Sequence, residues 1–205
     1  MDPLFIASLL ACGALFSVNR QQQRQRIVLL ASHLGPLQVE KLMETLTQGY
    51  LRALGERDAE RQAQVFAVLE PSEQQLSGQL AKLAQSFAAL APAAARASSL
   101  PVCLPFATTV LASATFDMRK LLAVHANGVA RALQQRDGVS PRDRAFRVTA
   151  ELFLLQHSCH WFCKSRTVAS ARMLARHQTS YPQLLASVSP ETRAAYQTVT
   201  GGHAG

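Results

Sequence analysis

Residues 4–18 read LFIASLLACGALFSV, an uncharged run followed directly by Asn19, Arg20, Gln21, Gln22, Gln23, Arg24, Gln25 and Arg26. Whether this run spans a bilayer or packs in a core decides how the rest of the chain is arranged. At ~1.5 Å per residue, fifteen to eighteen helical residues reach roughly 23–27 Å, slightly short of a hydrocarbon layer of about 30 Å. Thinning of the bilayer and snorkelling of Arg20 can make up such a difference. Residues 1–20 therefore read as a transmembrane anchor that contacts lipid through residues 4–18. A secretory signal is disfavoured because Asp2 is the only charge ahead of the run. A lipoprotein signal at Leu9-Leu10-Ala11-Cys12 is disfavoured because apolar residues continue past Cys12. The competing reading is a helix of a soluble core, which short apolar runs often form. If the helix spans, Arg20, Arg24 and Arg26 keep to the cytoplasm. The expected protein is then single-pass in the inner membrane, with its body in the cytoplasm.

Behind the run the chain reads as helix. Ala, Leu, Gln and Arg are used heavily and β-branched runs are scarce, which favours helix over strand. The 205 residues suit one domain with a real core, and 48% of them are hydrophobic. A net charge of +8 and a pI near 9.9 permit an anionic partner without demonstrating one. The four cysteines, Cys12, Cys103, Cys159 and Cys163, are irregularly spaced and read as reduced thiols.

Gly35 and Pro36 break the chain, and a helix is expected over 37–54, where Val39, Leu42, Met43, Leu46, Tyr50 and Leu54 recur at helical spacing. A short segment over 58–69 follows. Pro71, Ser72 and Gln75 resemble a helix start with a capping box. Leu76, Leu80, Leu83, Phe87 and Leu90 then form a narrow seam, read as one side of an antiparallel hairpin, with dimerisation as the alternative. Residues 91–105, APAAARASSLPVCLP, are the expected linker or crossover, and the apolar stretch 106–112 is expected to be buried. Helices are expected over 116–133, from the Ser140-Pro141-Asp143 start toward Lys164, over 168–177, and from Ser189-Pro190-Glu191. The tail 201–205 should fray. The fold class is all-α: an irregular bundle over 21–200 behind an N-terminal apolar transmembrane helix.

One cluster could carry chemistry: His157-Ser158-Cys159-His160-Trp161-Phe162-Cys163-Lys164. On a helix, His157, His160 and Lys164 share one broad face, while Cys159 and Cys163 lie nearer the apolar stripe. Cys159, His160 and Cys163 are candidate zinc ligands, with Cys103 or His125 to complete the set. The spacing matches no standard structural zinc pattern, and a redox-sensing anti-sigma factor would use a different order. Simple packing is the preferred reading, and no cofactor is expected. Lys164, Arg166, Arg172 and Arg176 read first as a solvated face, then as a site for anionic lipid or a phosphorylated partner; nucleic acid is disfavoured. There is no phosphate-binding glycine loop, HExxH or paired-acid motif, so no catalytic residue is assigned and an enzyme is the least supported class. The expected activity is that of a scaffold or regulator, with a protein partner or self-association. The alternative is a soluble helical regulator of metal or nucleic acid, with the first helix in its core.

Overall fold

The computed structural model describes residues 2–103, 105–135 and 138–201. Helix accounts for 79% of it and strand for 3%, so the chain is all-α. The α-helices among the described residues are α1 (Pro3–Leu34), α2 (Val39–Gly55), α3 (Ala59–Ala88), α4 (Ala107–Val110), α5 (Met118–Gln134), α6 (Pro141–Cys163), α7 (Arg166–His177), α8 (Tyr181–Ser187) and α9 (Pro190–Thr200). Two short strands, β1 (Arg96–Ser98) and β2 (Thr115–Asp117), pair antiparallel with Ala97 opposite Phe116.

Among the described residues no helix is long and apolar enough to cross a membrane. This overturns the expected transmembrane anchor over residues 1–20, and with it the single-pass protein of the inner membrane and its inferred topology. The physical reason is length. The apolar run ends at Val18, and the next turns of the same helix carry Asn19, Arg20 and glutamines. Fifteen apolar residues cover only about 23 Å of a ~30 Å layer.

Helix α1 is also not a core helix along its whole length. Its front turns stand in solvent, and its rear half packs on the bundle. There Asn19 Nδ2 donates to the Cys103 carbonyl at 3.0 Å, Lys164 Nζ donates to Gln23 Oε1 at 3.0 Å, and Leu30 is buried.

Helices α2, α3, α5 and α6 enclose the core. Tyr50, Leu76, Leu83, Phe87, Leu121 and Phe162 are among its largest buried side chains. The seam residues Leu76, Leu80, Leu83 and Phe87 face inward. They serve this bundle and are not open to a second copy. The helix start expected at Pro71 is displaced: Asp58 caps the helix by accepting from the Glu60 and Arg61 N–H groups, and Pro71 lies inside α3. A proline there forfeits one backbone hydrogen bond. Burial of Leu69, Glu73 and Leu76 on either side holds the two segments in one helix.

One buried polar knot joins all four core helices. The Tyr50 hydroxyl donates to Glu73 Oε1 at 2.6 Å, and Arg144 ion-pairs with Glu73 Oε2. Arg144 also donates to the Leu133 carbonyl, satisfying the end of α5.

The crossover between α3 and α5 is clasped by β1 and β2. Phe116 is buried against the Trp161 ring, with centroids 4.8 Å apart, and Trp161 Nε1 donates to the Ser98 carbonyl at 3.0 Å. The stretch expected to be buried at 106–112 lies largely at the surface: Val110 is 76% and Phe106 46% exposed, and only Ala107 turns inward. Phe106 is left-handed, at φ 60°. Its carbonyl accepts from the Thr109 and Val110 N–H groups, which holds that conformation.

The C-terminal helices follow their caps. Ser140, Ser165, Ser180 and Ser189 each accept from a backbone N–H in the first turn of α6, α7, α8 and α9. Gly201, at φ 69°, closes α9. The rest of the tail expected to fray, 202–205, lies outside the described residues.

Candidate functional site

The His157–Lys164 segment forms the last turns of α6, with Lys164 as its C-terminal cap. Helical spacing turns His157, Ser158, Trp161 and Phe162 into the core, and leaves Cys159, His160, Cys163 and Lys164 half-buried. Of the broad face expected to carry His157, His160 and Lys164, His157 is buried while His160 and Lys164 are half-buried. His157 stacks on Tyr181, with centroids 4.6 Å apart, and pairs through Nε2 with Ser170 Oγ. Its neighbour Ser158 pairs with His125 of α5.

Among the described residues no group of three His, Cys, Asp or Glu side chains could hold a metal ion. The candidates face different neighbours. His125 is spent on Ser158. Cys103 sits between Arg26 and Asn19, at 3.2 Å and 3.1 Å. Burial pushes the Cys159 thiol up to about 12, reinforced by Cys163 and Glu40. Burial likewise raises Cys163 to about 11, although Arg26, Lys164 and Arg172 oppose it. Both cysteines therefore favour the protonated thiol over the thiolate.

The four basic residues after the cluster separate into two pairs. Lys164 is engaged by Gln23, and Arg166 lies over the Trp161 ring, its guanidinium carbon 5.7 Å from the centroid. Arg172 and Arg176 stand one helical turn apart on α7 and line a groove of about 370 Å³ with His160, Gln156, Met173 and His177. Among the described residues no carboxylate lines it.

The imidazoles of the groove are biased toward the neutral form. Burial lowers the His160 pKa, and Arg172 and Arg176 lower it further. Burial and Arg176 lower that of His177. His160 Nδ1 is buried and has no hydrogen-bond partner. An unmatched buried acceptor is tolerated better than an unmatched donor, which puts the ring proton on Nε2. His177 stacks on Phe153, with centroids 3.9 Å apart, and pairs with Gln156 Oε1 at 3.0 Å. These contacts fix the groove floor between α6 and α7.

His160, Arg172 and Arg176 were each legible in the sequence but not as one site, and His177 entered only as the last residue of the helix expected over 168–177. The signal was the four-residue spacing of Arg172 and Arg176, which needs the turn at Ser165 before it faces His160. Comparison with known proteins brings no match among family models, curated proteins or solved structures.

Proposed function

We propose that this chain is a helical regulatory module that works by binding, and that the α6–α7 groove receives the anionic group of a small ligand. The observation that carries this reading is the convergence of Arg172, Arg176 and His160 on one groove, with no carboxylate among the described residues that line it. Two guanidinium forks suit the oxygens of a phosphate or carboxylate, and charge-assisted hydrogen bonds of this type are the stronger ones. A bound anion would also offset the field that depresses His160. A nucleic-acid strand is the poorer fit. It needs a continuous basic track, whereas Lys164 and Arg166 are engaged elsewhere.

Titration of the full chain with inorganic phosphate, followed by NMR of the histidine rings, tests the reading. Saturable shifts at His160 and His177, with a rise in the His160 pKa, are expected. Arg172→Gln combined with Arg176→Gln should abolish both. No response in the native chain, or an equal response in the double variant, would refute the reading.

A further inference from the structure

The front half of α1 is an apolar surface that the fold leaves uncovered. Every described side chain from Leu4 to Ser17 is exposed, with Leu4 at 77% and Phe16 at 68%. Leu9, Leu10 and Leu15 point to other sides of the same helix and are exposed as well. A helix apolar on all sides is ordinarily covered, and the bundle covers this one only from Val18 onward.

We infer that this arm binds the same arm of a second copy, antiparallel, about a two-fold axis near Ala11. Three observations favour that occupant and orientation. The first is charge. Asp2 caps the arm at one end, Arg20 is the first cation at the other, and nothing between them is charged. An antiparallel pair places each Asp2 beside the partner's Arg20; a parallel pair would stack like charges at both ends. The second is space. Each arm carries its bundle at the C-terminal end, so only opposed arms keep the two bundles apart.

The third is the crossover loop, which is tied to α1 just behind the arm. Asn19 holds the Cys103 carbonyl, and Gln22 Oε1 accepts from the Phe106 N–H at 3.4 Å. Exposed Phe106, Val110 and Leu111 therefore sit beside the base of the arm. That is where the opposed copy brings its Leu4 and Phe5. The left-handed backbone at Phe106 keeps that ring at the surface, and such strain concentrates at binding positions. Each arm then gains two covers, the partner's arm and the partner's loop. The interface is isologous and closed, as a two-fold pair requires. It does not rest on the α6–α7 groove.

Sedimentation velocity of the full chain, over about 1–100 µM, tests the inference. A concentration-dependent monomer–dimer equilibrium is expected. Leu9→Lys with Phe16→Lys should leave a monomer with the helicity and unfolding midpoint of the native chain at dissociating dilution, because both side chains are exposed within one copy. Asp2→Arg or Arg20→Asp alone should each weaken dimerisation roughly tenfold, and the two together should restore it, since the swapped charges again face each other. A chain that stays monomeric, a dimer indifferent to the Leu9 and Phe16 changes, or a double swap that restores nothing would overturn the inference. So would a monomer that pellets with phosphatidylcholine vesicles, which would assign the arm to lipid.

Discussion

Ser158 Oγ lies 2.8 Å from His125 Nε2 and donates its own proton to the Leu154 carbonyl at 2.9 Å, with neither residue exposed. The hydroxyl has one hydrogen, so the imidazole must be the donor between the two. His125 is therefore the Nε2–H tautomer, and its Nδ1 remains without a partner. The pair resembles the first two members of a hydrolytic triad only in composition. Its serine proton is committed to the backbone and its imidazole is enclosed.

That enclosure makes stability depend on pH. Burial lowers His125 to about 3, with His157 adding to the effect, and lowers His157 to about 4, with His160 and Arg166 adding. Both values lie below the ordinary 6.5 of an unfolded histidine. The unfolded chain thus takes up these protons first. The contribution to stability is complete above about pH 6.5 and is lost as pH falls toward 4, by roughly 1 kcal/mol per pH unit for each ring. Burial raises the Glu151 carboxyl, against hydrogen bonds from Ser189 and Thr192. Its proton is taken up earlier in the folded chain, which opposes the loss. Urea unfolding between pH 7.5 and 4.5 should show the decline, and His125→Asn should flatten it by about one proton.

The Tyr50–Glu73–Arg144 knot separates breaking an ion pair from trimming it. Arg144→Met leaves a buried carboxylate without its cation and should lower unfolding free energy by about 3–5 kcal/mol. Tyr50→Phe removes one donor and should lose about 1–3 kcal/mol. Chemical denaturation of both variants checks the ranking, and equal losses would contradict it.

Gly128 of α5 marks a close helix contact. A Cβ there would meet Thr192 Oγ1 at 2.5 Å and Glu151 Oε2 at 2.6 Å. Both belong to a buried polar set in which Glu151 Oε1 accepts from the Ser189 N–H at 3.1 Å. Gly128→Ala should cost about 1–3 kcal/mol despite the better helix propensity of alanine, and a thermal melt will show the sign.

Cys159 and Cys163 should be slow toward thiol reagents. At pH 8 a thiol raised to about 12 is ionised on the order of one part in ten thousand. Disulfide-exchange reagents should therefore modify Cys159 far more slowly than an ordinary free thiol. Rapid modification of Cys159 in the native protein would contradict its placement.

The helices were legible in sequence where a cap and a periodic face coincide. Ser140 with Asp143 and Ser189 with Thr192 close as capping contacts, and the face of Val39, Leu42, Leu46 and Tyr50 is buried. Pro71 misled because a proline after a segment of modest periodicity resembles a start, while the burial of Leu69 and Glu73 that overrides it is tertiary. The strands at 96–98 and 115–117 are too short for a period-two pattern, and their pairing depends on Trp161, far along the chain. The α8 start was readable: Ser180 and Gln183 form a full capping box, with Pro182 in the first turn. Groove residues His160 and Arg172 are local to their own helices, but the groove arises only from the angle between α6 and α7.

The division of α1 has a kinetic consequence. An isolated helix of about fifteen residues is marginal in water, chiefly because its first turn is hard to nucleate. Here the docked rear half supplies that turn, so the front half need only propagate from Val18 outward. Its amides should exchange with solvent on the timescale of fraying, while those near Leu30 exchange with the bundle. One unbroken helix would thus report two rates, and protection that spreads toward Leu4 as protein concentration rises would record the moment at which the arm is covered.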